Sequence, residues 1–424
     1  MTQEFLLSGA RLIDPDTSRD EVADLGIRDG QIVAPEILSA EATRLDLRGK
    51  ILAPGFLDLH VHLREPGQTY KEDISTATRA AAAGGFTGVL AMPNTVPPID
   101  SVETFRELNS RLPGKAMIEV LQSAALTIGR KGEQVSDIKA LQEAGVLALT
   151  DDGSTPQSES VMREVMLLAK ACKLPVIDHC EDFSLSKPGV MHAGLVSQKL
   201  GLPGQPRLAE ERIVKRDIRL CRETGCRLHL QHLSSAGSVT MLRQAHQEGL
   251  PVSAEVTPHH LFFTDQAVET YGSNAKMAPP LREEKDRLAL LEALCDGTIS
   301  VIATDHAPHS QAEKEQGMLQ APFGIIGLEA AVPLCLTLLY HTKLLSLCQL
   351  IKRFSCAPRE ILGLPAITLT PGSLANLTIF DLDANHTLNL SSFHSKSLNC
   401  PYQGFRCKGK IWGIFCQGRL LREL

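Results

Sequence analysis

Two histidines one residue apart constrain this chain more than any other feature. They lie in Asp58-Leu-His-Val-His-Leu-Arg-Glu-Pro66. His60 and His62 alternate with Leu59, Val61 and Leu63. That is strand spacing, in which side chains two apart share a face. Two imidazoles therefore project together from the end of one strand, and Arg64 follows on the same face. A pair of neutral imidazoles suits zinc. The planar fork of an arginine suits a substrate carboxylate. A surface strand that happens to carry two histidines has the same pattern, so the rest of the chain has to decide.

The chain has 424 residues, enough for one large barrel plus a small domain or for two or three ordinary domains. Its net charge of -6 and the absence of a basic run argue against a nucleic-acid partner. The N-terminal Met1-Thr-Gln-Glu-Phe lacks the basic start and apolar core of a signal peptide. The most apolar stretch, near Ala330 to Tyr340, contains Pro333 and Thr337 and is too short to span a bilayer. Eleven cysteines without a C-x-x-C pair read as reduced thiols, and a cytoplasmic location is expected.

Residues 1–53 read as short strands and turns, with Asp29-Gly30 as a hairpin signal. The run from Ile51 to Leu63 reads as a first buried strand. Seven more short apolar runs follow: Phe86–Met92, Ala116–Leu121, Gly145–Thr150, Leu174–His179, Cys226–His232, Leu250–Val256 and Ile299–Thr304. Each is bounded by Gly, Pro or polar residues, as buried parallel strands are. Between them lie helical segments. Val161, Val165, Leu168, Ala169 and Cys172 fall on one helical face, and Gly84-Gly85 ends an alanine-rich helix.

Eight strands alternating with helices predict an α/β fold, a (β/α)8 TIM-like barrel over residues 54–365. The alternative is an open doubly wound sheet, but no G-x-G-x-x-G follows a strand, so a dinucleotide site is not supported. Residues 366–424 return to β character and are expected to complete one small β domain with residues 1–53.

Metal-ligand residue types sit at the C-terminal ends of five of these strands. They are His60 and His62; Thr150-Asp-Asp-Gly153; Asp178-His-Cys-Glu181; Leu228-His-Leu-Gln-His232; and Ala303-Thr-Asp-His-Ala-Pro-His309. Taken singly, His179 or His232 could be a core histidine, Asp151 or Asp152 a turn residue, and Asp305 a helix cap. In a barrel, however, all five ends converge on the face where active sites are built. Four histidines and two aspartates exceed what a structural zinc needs and fit a two-metal site. Two zinc ions sharing a water lower its pKa to near 7. A carboxylate on the last strand can take the proton as hydroxide attacks a carbonyl and return it to the leaving nitrogen. The expected chemistry is hydrolysis of an amide-like bond or its reversal, on a small anionic substrate.

His60-Val-His-Leu-Arg-Glu-Pro-Gly, Met92-Pro-Asn-Thr, Thr150-Asp-Asp-Gly, Asp178-His-Cys-Glu, Gln231-His-Leu-Ser, Pro279-Pro-Leu-Arg and Ala303-Thr-Asp-His-Ala-Pro-His together resemble the dihydroorotase family. The likeness is to its longer, bacterial type I branch within the amidohydrolase superfamily, from about Gly49 through Gly418. The resemblance implies reversible interconversion of N-carbamoyl-L-aspartate and L-dihydroorotate in pyrimidine biosynthesis. It implies that His60, His62 and Asp305 hold one zinc, that His179 and His232 hold the other, and that Asp152 bridges them. Asp152 is preferred to Asp151 because it keeps a gap-free register with the flanking histidines. Some relatives bridge with a carboxylated lysine, but no lysine lies between Gly145 and Gly153. One or two zinc ions per subunit are expected. Asp305 would be the general acid/base. Arg64, Asn94 and His309 would hold the substrate carboxylate, with His62 beside the substrate and Phe323 and Gly324 meeting the ring through their backbone. The family also leaves a homo-oligomer and a complex with aspartate carbamoyltransferase open to this chain.

Two positions depart from the family pattern. Ala278 stands where an asparagine often precedes Pro-Pro-Leu-Arg, and Asn399-Cys-Pro-Tyr402 replaces Asn-Thr-Pro-Phe. The first removes one expected ring contact, a hydrogen bond of about 1 kcal/mol or more. The polar stretch from His309 to Pro322 is expected to be a mobile loop over the site. Two other readings compete. A hydantoinase or allantoinase generally has a lysine bridge and a pocket without this arginine. A catalytically silent structural homologue typically loses metal ligands, and none is lost here.

Overall fold

Gly55 divides the first apolar run into two strands that belong to different sheets. In the computed structural model, which describes residues 3–422, Lys50–Pro54 and Phe56–Val61 are separate strands. A Cβ at Gly55 would stand 2.2 Å from Thr87 Oγ1, so only glycine lets the chain turn this close to its neighbour. The expectation of one continuous strand from Ile51 to Leu63 is therefore corrected. Its first half serves the terminal sheet and its second half opens the barrel.

The terminal sheet joins the two ends of the chain. Lys50–Pro54 pairs in parallel with Glu4–Asp14 on one side and antiparallel with Leu377–Thr387 on the other. Arg19–Arg28 and Gln31–Val33 extend it as a hairpin, and Arg406–Cys416 and Arg419–Leu421 complete the far edge. Asp29 and Gly30 both have positive φ, 50° and 79°, as the tight hairpin turn requires. Leu7, Leu12, Ile27, Leu52, Leu377, Ile379 and Phe415 form its core. Neither end could bury these side chains alone.

The barrel runs in parallel through Phe56–Val61, Phe86–Ala91 and Glu119–Gln122, then through Val176–Asp178, Leu228–Leu230, Val252–Val256 and Val301–Ile302. Between the third and the next of these the sheet narrows to one residue. Leu149 bridges Ala124 on one side and Val176 on the other, so the run Gly145–Thr150 occupies a strand position without forming a full ladder. His306 closes the ring against Val61, its carbonyl accepting from His62 N at 3.0 Å. Leu57, Leu59, Leu90, Met92, Ala148, Ile177, Val301 and Ala303 touch one another although they come from strands around the whole ring. Side chains from such separate strands meet only inside a closed barrel.

Helices cover the outside. Ile74–Ala83 starts on Asp73, which accepts from Thr76 N at 2.9 Å, and ends at Gly84-Gly85, where Gly85 takes φ 93°. Glu159–Ala171 buries Met162, Val165, Met166 and Ala169. Its face is rotated from the expected one, and Leu168 is exposed. Met162 and Met166, flexible side chains that fit irregular gaps, take the inward positions instead. No helix among the described residues is long and apolar enough to cross a membrane.

Barrel and sheet are joined by an aromatic cluster. Phe56 contacts Phe86, Phe354 and Phe380, with ring centroids 6.5, 5.4 and 6.1 Å away. Phe380 belongs to the terminal sheet. Phe56→Ala is expected to cost about 3–5 kcal/mol, read as a lower urea midpoint with a native far-ultraviolet spectrum before the transition.

Candidate metal centre

Each strand end delivers its ligand-type side chain to one buried point. His60 Nε2 lies 3.3 Å from Asp152 Oδ1 and 3.4 Å from Asp305 Oδ1. His62 Nε2 lies 3.0 Å from Asp305 Oδ1 and 3.5 Å from Asp152 Oδ2. His179 Nδ1 is 3.0 Å from His232 Nε2 and 3.7 Å from Asp152 Oδ1, and His232 Nε2 is 3.9 Å from Asp305 Oδ2. All six side chains are buried. Their donor atoms form three overlapping triads, His60/His62/Asp152, His60/His232/Asp305 and Asp152/His179/His232, each within 4.8 Å. Asp151 turns away and accepts from Thr127 N and Oγ1, so Asp152 is the aspartate of this turn that enters the cluster.

The backbone is bent to achieve this. Arg64, His232 and Asp305 have φ of 60°, 26° and 45°, a region that L side chains avoid. Such conformations cost about 1–3 kcal/mol each and persist where surrounding structure enforces them.

Carboxylates and imidazoles in the cluster set one another's protonation. Burial alone would lower the pKa of His60, yet Asp305, Asp152 and Glu255 outweigh it and raise it well above the ordinary value. Burial likewise lowers His179, but Asp152 and Glu181 pull it up to about 10. Burial raises Asp152, and His60, His179 and His62 drive it well below the usual carboxylate range. Carboxylates this buried require positive charge nearby, which protonated imidazoles or a metal ion can supply. Neutral imidazole nitrogen and carboxylate oxygen, arranged in threes, fit a divalent metal.

Two carboxylates hold these histidines from behind. Glu255 Oε1 lies 2.8 Å from His60 Nδ1, and Glu181 Oε2 lies 3.0 Å from His179 Nε2. Such contacts orient an imidazole so that its other nitrogen faces the metal. Glu255 is absent from the ligand set expected from the sequence. Its signal is a lone acid inside the apolar run Val252-Ser-Ala-Glu-Val256, which a strand buried on both sides tolerates only for a partner.

A cavity of about 610 Å³ opens over the cluster, lined in part by His62, Arg64, Asn94, Asp152, Asp305 and His309. Arg64 Nε donates to Pro308 O at 3.0 Å, and its Nη2 lies 3.1 Å from His309 Nε2. Burial lowers the pKa of Arg64 only to about 10, so the guanidinium stays charged at neutral pH. Burial, then Arg64 and Lys71, keep His309 neutral. Asn94 faces inward and links two other cluster members, with its Oδ1 2.9 Å from His62 Nδ1 and its Nδ2 donating to Asp152 Oδ2 at 3.0 Å. Phe323 and Gly324 line the cavity, their backbone already engaged: Phe323 O is 2.8 Å from His309 Nε2, and Gly324 N donates to Lys276 O at 3.0 Å. Ala278 also lines the cavity.

The segment from His309 to Pro322 is a tethered wall of this cavity. It contains two short helices, Gln311–Lys314 and Gly317–Gln320. The buried Lys276 ammonium donates to Met318 O and Ala321 O at 2.7 and 2.5 Å. Lys314 donates to Pro322 O and Gly324 O, both at 3.0 Å. A polar composition predicts a mobile loop; Lys276 and Lys314 give this segment and its C-terminal flank hydrogen bonds to backbone carbonyls.

Comparison with known proteins agrees with this geometry. A family model described as dihydro-orotase-like matches residues 49–238. The chain is 45% identical over 404 residues to a dihydroorotase of Geobacillus sp. (strain WCH70), covering 95% of each. It is 43% identical over 422 residues to a dihydroorotase of Pelotomaculum thermopropionicum, covering 99% of each. Its fold matches an L-hydantoinase (dihydropyrimidinase) from Arthrobacter aurescens with a TM-score of 0.90 at 25% identity, over 100% of this chain and 96% of that one. Relatives this similar over nearly the whole chain establish that the protein belongs to the dihydroorotase family of cyclic-amide hydrolases.

Proposed function

We propose that this chain is a zinc-dependent dihydroorotase that interconverts N-carbamoyl-L-aspartate and L-dihydroorotate in pyrimidine biosynthesis. The observation that carries this reading is the junction of three His/Asp triads with the buried, charged Arg64 on one cavity. His60, His62 and Asp305 would hold one ion, His179 and His232 the other, and Asp152 both. Zinc bound there supplies Lewis-acid chemistry, acidifying a water and polarising the scissile carbonyl.

The chain's own groups do the rest. Arg64 binds the substrate carboxylate through paired, charge-assisted hydrogen bonds. Neutral His309, its Nε2 donating to Phe323 O, stands beside Arg64 and offers the substrate carboxylate no competing charge. Asn94 fixes the spacing of His62 and Asp152. In the hydrolytic direction Asp305 takes a proton from the attacking water and delivers it to the leaving ring nitrogen, and synthesis runs the same transfer backwards. The Phe323–Gly324 backbone borders the ring.

The test is turnover of L-dihydroorotate, followed by loss of its ultraviolet absorbance, beside hydantoin and allantoin under the same conditions. Dihydroorotate is expected to be hydrolysed at least about a hundredfold more efficiently, since Arg64 would be left facing a neutral substrate in the other two. Preference for hydantoin or allantoin would overturn the substrate assignment.

A further inference from the structure

His229 lies in the strand Leu228–Leu230, three residues before His232, and has no part in the mechanism above. It is fully buried, as is Glu255 on the neighbouring strand. Its Nε2 lies 3.1 Å from Glu255 Oε2, and its Nδ1 lies 2.8 Å from Ser253 Oγ. Glu255 Oε1 lies 2.8 Å from His60 Nδ1 and also accepts from the backbone N–H of His232 at 3.3 Å. A carboxylate only accepts, so both imidazole nitrogens facing it carry protons. The remaining nitrogen of His229 faces the Ser253 hydroxyl. Nε2 of His60, directed at Asp152 and Asp305, is then the nitrogen left to serve as a metal ligand.

One other group competes for the same nitrogen. Gln231 Nε2 approaches His60 Nδ1 at 3.2 Å. It also lies 3.4 Å from Met92 Sδ, and a charged acceptor 0.4 Å nearer makes the stronger hydrogen bond.

We propose that Ser253, His229 and Glu255 form a buried positioning relay that locks His60 in the tautomer required of a metal ligand. The relay also ties His60 to the strand that carries His232, through Glu255 and the His232 N–H. This inference rests on the metal-centre reading above. Neither His229 nor Glu255 touches substrate or metal; both act through His60.

The test is zinc affinity of the full-length protein, measured by competition with a chromophoric chelator, for the wild type, Glu255→Gln and His229→Gln. The cobalt(II)-substituted visible spectrum of each is recorded as a second readout. Glu255→Gln keeps the shape and removes the charge, and is expected to weaken zinc binding about 10–100-fold and shift the cobalt bands. His229→Gln leaves every proposed donor in place and is expected to weaken binding several-fold in the same direction. It decides the matter if Glu255→Gln does not fold by circular dichroism. Folded variants with wild-type zinc affinity and an unchanged cobalt spectrum would overturn the relay. A wild type that takes up no zinc would instead overturn the metal-centre reading, which keeps the two failures distinct.

Discussion

Asp305→Asn is expected to lower turnover about a thousandfold or more while the protein stays folded. The substitution preserves volume and one oxygen, but an amide cannot carry a proton between water and the leaving nitrogen. General acid–base catalysis of this kind contributes about 10²–10⁴-fold. The same change removes a carboxylate 3.0 Å from His62 Nε2 and 3.4 Å from His60 Nε2, so metal affinity is expected to fall as well. Turnover must therefore be compared at saturating zinc, with metal content determined on the same samples. Near-normal turnover by a metal-loaded Asp305→Asn enzyme would show that another group carries the proton.

Arg64→Ala is expected to act differently, raising KM about a hundredfold with a smaller fall in kcat. Arg64 stands at the cavity wall, buried and charged, with Nε anchored by Pro308 O. Removing one partner of a buried charge pair costs about 2–5 kcal/mol, and each 1.4 kcal/mol is tenfold. A carboxylate bound equally in ground and transition states yields a KM effect. Arg64→Lys should rescue little, because an ammonium lacks the two-pronged geometry. Steady-state kinetics on both variants read this directly. Unchanged KM and kcat in Arg64→Ala would remove Arg64 from substrate binding.

Particular residues explain which parts of the molecule could be read from the chain. The H-x-H strand and the Asp305 strand end were legible because a ligand cluster needs specific side chains at a specific end of a strand, and both spacings survive in one dimension. The joining of the two chain ends was legible because neither end has enough apolar surface to stand alone. The break at Gly55 was not, since its cause is Thr87, 32 positions away. The fourth barrel position was read as a strand, yet only Leu149 bridges both neighbours, a matter of how far the flanking segments let it approach. Asn94 and Glu255 illustrate the same limit within the site. One joins His62 to Asp152 and the other backs His60 from 195 positions away; a lone acid in a buried strand says that Glu255 needs a partner but not which one. The lysine tethers on the 309–322 segment are likewise contacts between elements, invisible to composition.

The most direct test of the account is a zinc titration into protein first stripped of metal by chelation, with elemental analysis and L-dihydroorotate hydrolysis measured at each addition. The account predicts negligible turnover without metal, recovery in proportion to bound zinc, and a plateau at one or two equivalents. Full turnover in protein verified to be free of metal would contradict it, because the buried cluster of imidazoles and carboxylates would then have some other purpose.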